Sequence, residues 1–308
     1  MRVQDRARAD REHVSDRVRT REIVRDDLPQ VGSFLHANLN RRLSAAAWAA
    51  SILPPWEGTT RAAEGGYGYL LEAAGTLVGV QLVFSSRRDL GSGPVTIRNL
   101  GALCVLTTYR NQSVRLLRAA LAGRDSHLTD LSPSGAVVPL NQRLGFRQLD
   151  TATALVPALQ GRTSSRGSRG RTHVITDPHR IALHLSGRDL EIYRDHEEAR
   201  ASHHVVLKRG KQSCYVMWRR DRRKRLPIFA SVLYSNEPDV LHALFPALSR
   251  HLLLRHGVLA VLAELRVVGL RPRSSIMLNS TRPKMFRSRT LPESAIDYLY
   301  SELTCVAW

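Results

Sequence analysis

The sequence predicts an α/β fold, with mixed sheets covered by flanking helices. Three observations lead there. Residues 100–106, Leu-Gly-Ala-Leu-Cys-Val-Leu, form an unbroken apolar run that suits a central strand buried on both faces. A polar turn, an amphipathic helix and a second short strand follow it directly, the crossover pattern that makes two strands parallel neighbours. Strand and helix patterns then recur in similar order in the second half of the chain.

The first 17 residues alternate Arg with Asp and Glu and offer few apolar anchors, so they read as a charged tail. Arg21 to Arg25 reads as a first strand. Asp27 and Pro29 open a helix whose Leu28, Val31, Leu35 and Leu39 share one face. Ser44 to Leu53 reads as a second helix, carrying Trp48 and ended by Pro54-Pro55. Tyr67 to Glu72 and Thr76 to Ser85 form a hairpin around Ala74-Gly75. After the apolar strand come Thr107, Thr108, Tyr109, Arg110, Asn111 and Gln112. The next helix places Val114, Leu117 and Leu121 on one face, with Ser113 as its cap and Gly123 as its stop. His127 to Leu131 is the following strand.

Residues 160–171, Gln-Gly-Arg-Thr-Ser-Ser-Arg-Gly-Ser-Arg-Gly-Arg, have linker composition. The expected division is a domain over 18–157, a linker over 158–172 and a second domain over 173–308; a long surface loop within one domain is the alternative. In the second half, Asp177-Pro178 starts helical sequence. His203 to Leu207 and Ser213 to Trp218 pair around Arg209-Gly210, and Leu226 to Tyr234 is a long apolar strand. Val240 to Leu254 is a helix stopped near Gly257, and Val258 to Ala263 another buried strand.

Composition bounds the function. With 43% hydrophobic and 24% charged residues in 308, the chain is a globular protein of two-domain size. The net charge of +19 rests almost wholly on arginine, because only Lys208, Lys211, Lys224 and Lys284 are lysines. That bias fits the codon usage of a GC-rich genome as well as it fits a polyanionic partner. Arg219, Arg220, Arg222, Arg223, Lys224 and Arg225 cluster around Asp221, either as a solvated loop or as a contact for an anionic ligand. Neither an aromatic stacking ladder nor a recognition helix accompanies them, which argues against nucleic-acid recognition. Cys104, Cys214 and Cys305 show neither disulfide nor metal spacing, and the twelve histidines show no zinc pattern, so no metal is expected. The thiols, together with an N-terminus lacking an apolar leader and the absence of a membrane-spanning run, lead us to expect a cytoplasmic protein.

Backbone N–H groups entering a helix make a concave site for phosphate, and the turn after Val105 is placed to do this. The segment from Val105 and Arg110 through Asn141-Gln142-Arg143-Leu144-Gly145-Phe146 resembles the GNAT acyltransferase superfamily, over about residues 18–156. That family carries Arg/Gln-x-x-Gly-x-Gly/Ala after its fourth strand and a Tyr-x-x-Leu-Gly-Phe close. The resemblance implies a GNAT-like fold, with a degenerate second copy in the other half. It also implies that acetyl-CoA or another acyl-CoA is the co-substrate and an unidentified amine the acceptor. On that basis Leu103, Cys104 and Val105 would pair with the pantetheine arm. Arg110, Asn111, Gln112, Ser113, Val114 and Arg115 would present donors to the diphosphate. Ser113 and Arg115 replace the loop glycines, and Asn141 stands where the family often carries a tyrosine acid; an amide can orient a group but cannot donate an acidic proton. The candidate catalytic residues are Asn141, Glu72 and Asp130, with His36 as a further base and Trp48 and Trp56 as walls of an acceptor pocket. In the second half, Glu237 and Asp239 occupy the equivalent turn and would repel a diphosphate. Two readings stay open: an N-acyltransferase, and a binding or scaffold protein that kept the fold without catalysis.

Overall fold

The computed structural model describes residues 18–91, 93–122, 126–159, 171–223 and 226–307. The expected charged tail, the stop at Gly123, Lys224 and Arg225, and most of the linker segment lie outside them.

The first half builds β1 (Val18–Glu22), helices Leu28–Asn38 and Ala45–Ile52, then β2 (Gly68–Ala73), β3 (Thr76–Asp89) and β4 (Pro94–Val105). Ser44 caps its helix by accepting from the Ala47 N–H at 3.1 Å, and Pro29 sits in the first turn of its own, where no amide is needed. A 3-10 turn, Thr107–Gln112, runs straight into helix Ser113–Leu121, so Ser113 is the first helical residue instead of the expected cap. β5 (Ser126–Asp130), helix Val138–Arg143, β6 (Arg147–Gln148) and β7 (Thr153–Pro157) follow.

The second half runs through β8 (His173–Ile175), helices Pro178–His184 and Gly187–His196, β9 (His203–Arg209), β10 (Gln212–Arg223) and β11 (Leu226–Ser235). Helix Pro238–His256 is ended by Gly257 at φ 64°, and β12 (Ala260–Glu264), β13 (Ile276–Met277) and β14 (Met285–Arg287) complete the strands. A short helix, Glu302–Cys305, lies near the end. Among the described residues, no helix is long and apolar enough to cross a membrane.

Two seven-stranded sheets result, β1-β2-β3-β4-β5-β14-β6 and β8-β9-β10-β11-β12-β7-β13. Their orders match, and each takes its sixth strand from the other half of the chain. β7 pairs antiparallel with β12, while β14 pairs antiparallel with both β5 and β6. Each sheet also contains one parallel pair, β4 with β5 and β11 with β12, as a crossover helix requires. One continuous apolar core runs across both halves, from Trp48 and Trp56 to Tyr215, Met217 and Tyr300.

Candidate active site

β4 and β5 pair only from Thr96–Asn99 to Ser126–Thr129 and then diverge. β4 continues to Val105 while β5 ends at Asp130, so the sheet opens into a wedge. In the second sheet β11 and β12 pair over Phe229–Ser231 and Ala260–Leu262, and β11 alone continues to Ser235. Both openings face a cavity of about 630 Å³ lined by Gly101 to Leu103, Asp130 to Ser134, Ser231 to Leu233 and Glu264. This size suits a small-molecule ligand.

The β4 wall is irregular. Gln81 stands opposite Leu103 and Leu82 opposite Gly101, which leaves Ala102 as an extra residue, a β-bulge with backbone released from the ladder. The Gln81 amide donates to the Gly101 and Leu82 carbonyls and holds that distortion in place. Space at Gly101 is tight, because a Cβ would lie 3.0 Å from the Phe84 ring and 3.3 Å from Glu302.

Asp130, at the end of β5, is buried and accepts from the Asn141 amide at 2.7 Å. Burial pushes its carboxyl up to about 6, against the lowering effect of the Asn141 and Ser132 donors. At neutral pH it is mostly a carboxylate that can take up a proton. The structure thus brings Asn141 onto Asp130, which lines the cavity. Glu72 lies elsewhere, on β2, in an ion pair with Arg21 at 2.8 Å. His36 is spent on the Leu43 carbonyl at 2.7 Å. Trp48 and Trp56 are both fully buried in the core, Trp56 against His196 and Tyr300, and neither lines the cavity.

The donors expected at 110–115 meet a tighter turn than the sequence suggests. The Tyr109 N–H donates to Leu106 and the Ser113 N–H to Arg110, so both are used within the turn. The Arg115 guanidinium donates to the Val18 carbonyl at 2.8 Å. Arg110, Asn111 and Val114 are exposed, and Gln112 and Ser113 half-buried. Leu103 lines the cavity, Val105 is half-buried at the strand end, and Cys104 is buried, with its thiol pushed up to about 11. A thiol so held is not a nucleophile at neutral pH. Glu237 and Asp239 are exposed at the start of helix Pro238–His256. No group of His, Cys, Asp or Glu among the described residues is arranged to hold a metal.

Sequence reasoning missed the residues from the far end of the chain. Glu302 is fully buried at the apex of the wedge: its N–H donates to the Asn99 side chain at 2.9 Å and its carboxyl accepts from Ser132 at 2.9 Å. Burial, reinforced by the charge of Asp130, pushes it up to about 8. Arg219 of β10, also buried, donates to the carbonyls of Leu303 and Val306 and locks that segment down. Lys284 pairs with Glu264 at 2.6 Å. The only sequence signal for these was the arginine cluster around Asp221.

No protein-family profile matches the sequence, and no curated protein aligns with it. Solved structures do match. A GCN5-related N-acetyltransferase from Anabaena variabilis superposes with a TM-score of 0.57 at 10% identity, over 88% of this chain and 72% of that one. A probable N-acyltransferase from Enterococcus faecalis gives 0.54 at 11% identity, over 88% and 72%. A putative acetyltransferase from Pyrococcus horikoshii gives 0.51 at 12% identity, over 92% and 93%. The diverging parallel strands, the bulged wall and these likenesses agree: the chain has the fold of the GCN5-related N-acetyltransferases.

Proposed function

We propose that the protein is an acyl-CoA-dependent N-acyltransferase that transfers an acetyl or other acyl group to an amine. The observation that carries this reading is the wedge between β4 and β5, which opens a bulged strand edge beside a buried carboxylate into one cavity. The open edge fits an extended pantetheine arm, because an extended chain pairs with free strand groups. Acyl-CoA supplies the activated thioester. Main chain freed at Ala102 lies where it can polarise a carbonyl. As the amine nitrogen bonds the acyl carbon, Asp130, held by Asn141, accepts the proton that the amine loses; the C–S bond breaks and coenzyme A leaves as a thiolate that takes a proton from solvent. Arg110 and Asn111 reach solvent beside the strand end and are available to phosphate. The two sheets form the acceptor cleft between them, each half of the chain contributing one wall.

A non-catalytic binding protein is the second reading, and the closed 3-10 turn with Arg115 tied to Val18 favours it. Calorimetric titration of acetyl-CoA and of free coenzyme A separates the two. The acyltransferase reading expects binding that is lost in Leu103→Trp, which fills the wedge, and weakened in Arg110→Ala. Absence of binding to folded protein selects the scaffold.

A further inference from the structure

We infer that the cavity binds an anionic group, a phosphate or carboxylate borne by the acyl acceptor, through Arg222 and Arg223 together with Arg42. This rests on the acyl-transfer reading and specifies its substrate class.

The charges of the cavity wall do not balance, because six arginine and lysine side chains stand there against Asp130, Asp221 and Glu264. Asp221 is occupied: its carboxylate accepts from Arg282 at 2.8 Å, from Ser231 at 2.7 Å and from the Arg222 N–H at 2.6 Å. Glu264 is occupied by Lys284. Arg219 is satisfied by the Leu303 and Val306 carbonyls, which bond the guanidinium without cancelling its charge. Arg222 and Arg42 then line the cavity with no side-chain partner among the described residues. Arg223 has only a 3.3 Å contact from Nη1 to the Ser280 carbonyl, and its buried Nε has no acceptor.

The guanidinium fork matches two oxygens of a carboxylate or phosphate, so arginines on the cavity wall without a side-chain partner suit a bound oxyanion. A cavity of about 630 Å³ suits a small anion. The position selects the acceptor over the phosphates of coenzyme A. Arg222 and Arg223 stand on the second sheet, and no residue of the 107–115 turn shares the cavity wall with them.

The test uses the full chain and inorganic phosphate as probe, titrated by calorimetry in parallel with coenzyme A. The wild type and the Arg255→Gln control, which alters an arginine outside the cavity, bind phosphate alike. Arg222→Gln/Arg223→Gln binds it about tenfold more weakly or worse and keeps its coenzyme A affinity. With acetyl-CoA present, 2-aminoethyl phosphate is acetylated in preference to ethanolamine, and the double variant loses that preference. Unchanged phosphate affinity in the double variant, or no phosphate binding by the wild type, overturns the site. A matching loss of coenzyme A affinity assigns the arginines to the co-substrate and overturns the acceptor claim. Phosphate binding without any coenzyme A binding overturns the acyl-transfer reading and leaves the anion site standing.

Discussion

The amide of Asn141 donates to the Asp130 carboxylate at 2.7 Å, and Asn141 is wholly buried while doing so. Asp130 would otherwise keep only the Ser132 backbone donor. Asn141→Ala should therefore destabilise the protein by ~2–3 kcal/mol, since it strands a buried acceptor. Chemical denaturation measures this. A change below the scatter of the method would mean that water replaces the amide and that Asn141 does not position Asp130.

Glu302 gives a pH signature. Its folded pKa, pushed up to about 8 from an ordinary value of 4.5, means that the buried carboxyl favours the neutral form. Its contribution to stability is present in full below about pH 4.5 and is lost as pH rises through 8. The buried His196 and the half-buried His204 run the other way: burial lowers them to about 3 and 4, so their contribution is lost as pH falls from 6.5 through 3. Comparing variants isolates the carboxyl. Glu302→Gln should match the wild type at pH 4 and exceed its melting temperature at pH 8.5, and parallel curves across that range would contradict the assignment.

The Lys284–Glu264 pair joins the segment leading into β14 of the first sheet to β12 of the second. Burial lowers Lys284 and raises Glu264, each offset by the partner's charge. Lys284→Met alone should cost ~3–5 kcal/mol, because it leaves a buried carboxylate unpaired. Adding Glu264→Leu should recover most of that loss. Additive losses in the double-mutant cycle would show that the two side chains act independently.

The exchanged strands predict the behaviour of a cut chain. A protease site inserted between residues 159 and 171 separates the sequence into halves, yet β7 and β14 remain paired in the opposite sheets. After cleavage the two fragments should co-elute on size exclusion and part only in denaturant. Separate elution under native conditions would contradict the crossed pairing.

Much of the fold was legible in the residues. Period-two and period-3.6 patterns, Ser44, Pro29 and Gly257 located the strands, helices and ends, because those signals act within a few residues of chain. The parallel β4–β5 pair followed from one helix between two apolar runs. Asp130 and Asn141 could be named as candidates, but not as partners, since nothing local says that a strand end and a later helix meet. The conformation of the 107–115 turn was not legible, because its polar residues suit an open loop and a 3-10 turn equally.

The sequence by itself located most of the strands and helices up to Ala263 and the kind of sheet they build, consequences of local backbone preference and side-chain period, whereas short strands such as β7, β13 and β14 carry too little pattern to be marked. Tertiary structure alone decided the exchange of β7 and β14, the burial of Glu302 at the wedge and the gathering of arginines on the cavity wall. Those depend on contacts between residues far apart in the chain, such as Asn99 with Glu302. Desolvation then sets the charge of each group, and it is a property of the packed molecule and not of the residue.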